Sequence, residues 1–285
     1  MHLLQVLQLG LVDYSTALKL QQTLVSLRKQ DRMADTLLLL EHPAVITLGR
    51  NSKTSNILAS PESLAKQTVE VHETDRGGDV TLHAPGQLVG YPICDLRGFT
   101  PKVGAVDFVR KLEETLIRCC ADFGIATERV AGCTGVWTQA ASSEPTCAAD
   151  RRKIAAIGVH ISRGVTSHGF ALNVTTDLGL FKLIVPCGIA DKPVTSMAAE
   201  LGDKGLPTME AVSQSLTRQF GNVFGTQILW LESLDSLLSS ASQESDTTQD
   251  EEARRNQDTP LREADDLRRI RDELDIAPLD DIHWA

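Results

Sequence analysis

The run from Arg76 to Gln87, RGGDVTLHAPGQ, constrains the fold more than any other part of this chain. Gly77 and Gly78 precede a short alternating strand that contains His83, and Pro85 and Gly86 follow it. Glycine brackets of this kind let a ligand or a neighbouring backbone come closer than a side chain allows. No Gly-Lys-Ser/Thr follows, so the string is not a Walker loop, and the spacing is not the dinucleotide fingerprint either. A phosphate cradle is therefore not supported.

Around it the pattern alternates between helix and strand. Tyr14, Ala17, Leu18, Leu24, Val25 and Leu27, with the stem of Gln21, recur at helical spacing between Asp13 and Gln30. Thr36 to Leu40 and Val45 to Leu48 are short apolar runs around Glu41-His42-Pro43, which predicts two strands with a tight bend. Ser60-Pro61-Glu62 predicts a short helix start. Ala105, Phe108, Val109, Leu112, Leu116, Ile117 and Cys120 share one helical face, with Gly124 at the expected C-terminal cap.

KIAAIGVHI, a Ser162-Arg163-Gly164 turn and VTSHGFALNV predict a hairpin of sheet strands. Met209, Val212, Leu216 and Phe220 place a last helix between Pro207 and Phe224. The expected class is α/β. Residues 139–152 are small, polar and without period, which predicts a surface insertion.

Of the net charge of −10, −8 falls in residues 240–285, where fourteen Asp and Glu face six Arg. The body is near neutral, which removes a basic nucleic-acid footprint. Beyond about Leu238 the Ser, Gln, Asp and Glu content is too polar to offset ordering entropy, so a disordered acidic tail is expected, with one thin helical stripe at Leu267, Ile270 and Leu274. The expected division is residues 1–230 as the folded body and 231–285 as the tail. No apolar run approaches a membrane span.

Six cysteines without a secretory signal or a C-x-x-C pair predict free thiols and no structural metal. Cys119 and Cys120 lie on the buried helical face and read as small hydrophobes. Cys94, Cys133 and Cys147 read as passive. Cys187 differs, because Val185-Pro186-Cys187-Gly188 sets a thiol between a rigid and a flexible residue just after an apolar run. His83 and His168 are candidates for hydrogen bonding or proton transfer, whereas His42, His72 and His160 read as strand or turn residues. Asp79 reads as a turn residue and not a general base.

RGGDVTLHAPGQ, KIAAIGVHISRGVTSHGFALNV and DLGLFKLIVPCGI, in that order, closely resemble the lipoyl(octanoyl) transferase family, over roughly Leu9 to Phe224. Glu41-His42-Pro43 and Thr47-Leu48-Gly49-Arg50 resemble its N-terminal strand-turn-strand. The resemblance implies one α/β domain of mixed sheets flanked by helices, like biotin and lipoate protein ligases. It also implies that Cys187 accepts the acyl group and Lys153 activates it. Arg76, Gly77, Gly78, Asp79, Val80, Thr81, Leu82 and His83 would line the substrate site. Ala156, Ile157 and Gly158 would form a second wall, and Gly169, Phe170 and Ala171 a third.

A nearby ammonium favours the thiolate, and Lys153 is the expected cation. Backbone N–H groups near Gly77, Gly78 or Gly188 are candidates for the oxyanion. The implied donor is octanoyl-acyl carrier protein. The implied acceptors are lipoyl domains of 2-oxoacid dehydrogenase complexes and of the glycine cleavage H protein, with no cofactor, no metal, no nucleic acid and no membrane. The alternatives are an ATP-dependent lipoate or biotin ligase, an acyl shuttle between lipoyl domains and a silent binding scaffold. The insertion and acidic tail point to a mitochondrial member if eukaryotic, although the first thirty residues show no Arg-rich presequence; a bacterial member would be cytoplasmic.

Overall fold

The computed structural model describes residues 2–139, 151–186, 193–202 and 205–237. Strands β1 (His2–Leu11), β2 (Asp35–Glu41), β6 (Gln87–Ile93), β7 (Thr127–Val130), β8 (Cys133–Thr138), β9 (Lys153–Ser162), β10 (Val165–Asn173) and β11 (Thr226–Leu231) form one sheet in the order β11-β1-β2-β6-β10-β9-β8-β7. Strands β3 (Val45–Leu48), β4 (Glu70–Glu73) and β5 (Val80–His83) form a second, in the order β4-β3-β5. Both are mixed: β1 runs parallel to β2 and β11, whereas β6, β9 and β10 pair antiparallel.

Helices α1 (Tyr14–Lys29), α3 (Ala105–Asp122) and α5 (Met209–Phe224) cover the large sheet, and α2 (Pro61–Lys66) and α4 (Met197–Leu201) are short. The run Leu37 to Leu40 explains the layering. Leu37 and Leu39 join a core with Phe108, Leu112, Leu116, Leu216 and Phe220 from α3 and α5. Leu38 and Leu40 join another with Ala17, Leu20, Leu24 and Leu27 from α1. A strand buried on both faces has no polar alternation to show, so it reads as a continuous apolar run. A third cluster, with Ile46, Leu64, Val80, Leu82 and Phe181, lies under the small sheet.

The local signals are met where expected. Asp13 caps α1 by accepting from the Thr16 N–H at 2.9 Å, and Ser60 caps α2. Arg163 and Gly164, both at positive φ, make a two-residue turn between β9 and β10, the geometry that matches strand twist. The Glu41-His42-Pro43 bend does more than join two strands, because β2 and β3 enter different sheets. Strands β1 and β11 were not anticipated; they pair with each other in parallel, and long-range pairing leaves no local pattern.

Leu234 and Leu237 are buried in the α1 core, so packing runs past β11 to at least Leu237. The candidate stripe at Leu267, Ile270 and Leu274 and most of the 139–152 segment lie outside the described residues. Among the described residues no helix is long and apolar enough to cross a membrane.

Candidate active site

A cavity of about 270 Å³ opens where β5 of the small sheet faces β9 and β10 of the large one. Arg76, Gly77, Gly78, Asp79, Thr81 and His83 form one wall. Ala156, Ile157 and Gly158 form the second, and Gly169, Phe170 and Ala171 the third. Lys153, at the start of β9, lies in the same lining. Val80 and Leu82 do not: the two-residue period of β5 sends Thr81 and His83 to the cavity and buries Val80 and Leu82 in the core beneath the small sheet.

Glycines permit this closeness. A Cβ on Gly158 would sit 2.6 Å from the Gly77 carbonyl oxygen, and one on Gly49 would sit 2.4 Å from that of Gly78. Arg76 is spent on architecture, because its guanidinium donates to the Thr47 hydroxyl at 3.0 Å and to the Thr47 carbonyl at 2.6 Å. The Gly77 N–H donates to the Val159 carbonyl at 3.1 Å. That removes Gly77 from the three expected oxyanion donors. Asp79 ties its own loop, accepting from Asn56 Nδ2 at 2.7 Å and from the Val80 N–H.

His83 is 7% exposed, and its Nδ1–H donates to Gln87 Oε1 at 2.7 Å. Gln87 is oriented by its amide donating to Asn173 Oδ1 at 2.8 Å, and Asn173 Nδ2 donates to the Thr195 carbonyl at 2.8 Å. The Thr195 N–H in turn donates to the Lys153 carbonyl, and the Lys153 N–H to that of Pro193, both at 2.9 Å. One hydrogen-bonded chain thus runs from His83 to the backbone of Lys153. Burial pushes the His83 imidazole down to about 3, helped by the facing His42, so the ring is neutral at physiological pH with its proton on Nδ1.

His168 also lines the cavity. Its φ of +54° is unusual for a strand residue and lets its N–H donate to Gln21 Oε1 at 2.9 Å while Nε2–H donates to Asp75 at 2.7 Å. Burial lowers its pKa too. His42 sits beneath, donating from Nδ1 to the Val12 carbonyl at 2.6 Å and accepting from the Tyr91 hydroxyl at 2.7 Å. Burial lowers His42 to about 4 and holds the Tyr91 phenol protonated.

Tyr14, Tyr91, Gly132, Cys133 and Thr134 also line the cavity, which the sequence reading missed. The β7–β8 turn carried no periodic signal, and Cys133 looked passive. Past Lys153 a smaller recess is lined by Gln87, Asn173, Phe181, Pro186 and Val194. Cys187 and Gly188 lie outside the described residues.

A family model described as "Lipoyl protein ligase A/B catalytic domain" matches residues 13–221. A protein named octanoyltransferase from Koribacter versatilis is 57% identical over 281 residues, which is 99% of both chains. One from Acidobacterium capsulatum is 60% identical over 82% of this chain and 96% of its own. The first match takes in the 139–152 insertion and the acidic tail, so neither marks a eukaryotic, mitochondrial member.

Among solved structures, an archaeal bi-partite lipoate protein ligase from Thermoplasma acidophilum shares the fold at TM-score 0.64 and 14% identity, over 87% of this chain and 94% of that one. Lipoate-protein ligase A bound with ATP does so at 0.61 and 15%, over 87% and 96%. The motifs around Gly77, Lys153 and Gly169 converge on one cavity within that fold, and the chain belongs to the octanoyltransferases of the lipoyl protein ligase A/B catalytic-domain family, an acyltransferase family.

Proposed function

We propose that the protein transfers an octanoyl group from the thioester of an acyl carrier protein to a lysine of a lipoyl domain, with Cys187 as the transient acceptor and Lys153 as its activating cation. The observation that carries this is the position of Lys153. It is buried in the cavity wall, and Pro186 and Val194, on either side of residue 187 in sequence, border the recess beside it. An ammonium there favours the thiolate of a nearby cysteine.

The Cys187 thiolate attacks the octanoyl carbonyl, a new C–S bond forms, and the bond to the carrier sulfur breaks. The carrier leaves as a thiol after taking a proton from the Lys153 ammonium, which becomes the neutral amine. The neutral amine of the acceptor lysine then attacks the Cys187 thioester, the amide forms, and the Cys187 sulfur leaves as thiolate; the amine proton passes to the neutral Lys153, which restores the ammonium. No nucleotide enters either step.

The apolar wall of Ala156, Ile157, Phe170 and Ala171 suits an alkyl chain. The volume lies just under the ~300 Å³ at which drug-sized ligand sites begin, the scale of one acyl group. Its bacterial relatives make the cytoplasm the proposed location.

The test is a reconstituted reaction with lipoyl domain as acceptor, supplied either with octanoyl-acyl carrier protein alone or with octanoate and ATP. Octanoylation of the domain in the first mixture and none in the second is expected. The reverse would place the chain with ATP-dependent ligases.

A further inference from the structure

Strand β8 lies beside the start of β9, and Trp137 pairs with Lys153 where the register shifts. Trp137 is 1% exposed and its indole N–H donates to the Cys133 carbonyl at 3.1 Å, which fixes the ring plane. Lys153 Nζ lies 4.7 Å from that ring's centroid. Gly135, two residues earlier, has a φ of +123°, and a Cβ there would stand 3.4 Å from Lys153 Cε. One strand thus clears space for the lysine stem and sets an aromatic face at its head. A cation over an indole face is attracted by the ring quadrupole, more strongly where water is excluded.

We propose that Trp137 is a positioning residue for the transfer: the face of its indole seats the Lys153 ammonium at the cavity wall, so the ring at position 137 sets how strongly the thiol is activated. The proposal rests on the pairing of Lys153 with Cys187 given above. Trp137 does not itself line the cavity, so its effect on substrate is indirect. Among the described residues the other titratable groups facing this cavity are Arg76, Asp79, His83, His168 and Cys133, with the phenols of Tyr14 and Tyr91. Behind β8 the buried Glu113 carboxylate accepts from the Gly135 N–H at 3.1 Å. None of these side chains is itself altered when only the ring is changed.

The experiment follows the alkylation of Cys187 by iodoacetamide against pH, by peptide mass spectrometry, in the full-length wild type and in Trp137→Phe, Trp137→Leu and Lys153→Met. The alkylation midpoint should rise in a graded way, least for Phe and by about one pH unit for Leu, because the weaker the ring's hold on the cation, the less it is kept beside the thiolate. In steady state, kcat for Trp137→Leu should fall about tenfold with KM for the acyl donor unchanged.

A midpoint that moves in Lys153→Met but in neither Trp137 variant overturns the proposal and leaves the Lys153 pairing standing. A midpoint that moves in none of the three overturns the pairing itself. Should Trp137→Leu fail to fold, Trp137→Phe with a wild-type midpoint and kcat still overturns the seat, since benzene is the weaker partner.

Discussion

The imidazole of His83 in the cavity wall meets that of His42 beneath it edge to face, with 5.6 Å between their centroids, and neither takes up a proton at physiological pH. His42 is held at about 4 and His83 at about 3, against 6.5 for a free side chain, with burial the leading cause. Both folded values are depressed, so between about pH 6.5 and about 4 the unfolded chain binds protons that the folded one refuses. The stability they contribute is complete above pH 6.5 and is lost as pH falls. For His42 alone the loss approaches roughly 3 kcal/mol by pH 4. Thermal melts from pH 7 to 4.5 should fall more steeply in the wild type than in His42→Gln; equal slopes would refute the buried neutral ring.

At the same scale, Gly158→Ala brings a Cβ to 2.6 Å from the Gly77 carbonyl oxygen, a backbone atom, and to 3.5 Å from Arg76 Cδ. A loss of roughly 1–3 kcal/mol in urea unfolding and at least tenfold slower acyl loading are expected. Loading at the wild-type rate would mean that the Gly77 loop is not part of the site.

Strand β8 is held from behind by helix α3. Glu113 is fully buried there, accepting from the Gly135 N–H, from Arg110 at 2.6 Å and from Arg129 at 3.2 Å. Glu113→Ala leaves a buried N–H without its acceptor, which costs roughly 1–3 kcal/mol. Glu113→Gln keeps an acceptor and should lose less. Urea unfolding of the two variants separates them, and equal losses would assign the effect to the arginine pairs instead.

Elements were legible where the local pattern was complete. Helix α3 shows its apolar face in Phe108, Leu112 and Leu116, and the β9–β10 hairpin shows its turn in Arg163-Gly164. Strand β5 was legible as a strand, but the motif that revealed it did not separate its two faces, so Val80 and Leu82 were grouped with the lining residues beside them. Tyr91 and Cys133 reach the cavity only because β6 and the β7–β8 turn are brought there by pairings distant in sequence. The network from His83 through Gln87 and Asn173 to Thr195 spans residues that no local window joins.

At the scale of the molecule, the cavity takes one wall from the small sheet through β5 and the others from the large sheet through β9 and β10, so the site needs both sheets in place. Among the described residues the core reaches Leu234 and Leu237, and the family match ends at residue 221. The Acidobacterium relative uses 96% of its own length to match only 82% of this chain. We propose that the acidic residues beyond about 240 are dispensable for the chemistry. A chain ending at residue 240 should keep its melting temperature within about 2 °C, below what a 1 kcal/mol change produces in a domain of this size, and transfer octanoyl at the wild-type rate. A large loss of either would give the tail a role in the body.

The most direct test of the central claim is intact mass spectrometry after brief incubation with octanoyl-acyl carrier protein, for the wild type and for Cys187→Ala. The wild type should gain the mass of one octanoyl group, removable by hydroxylamine, and the variant should gain none. An adduct of equal yield on Cys187→Ala, or none on the wild type while octanoyl transfer proceeds, would contradict an acyl-enzyme at Cys187.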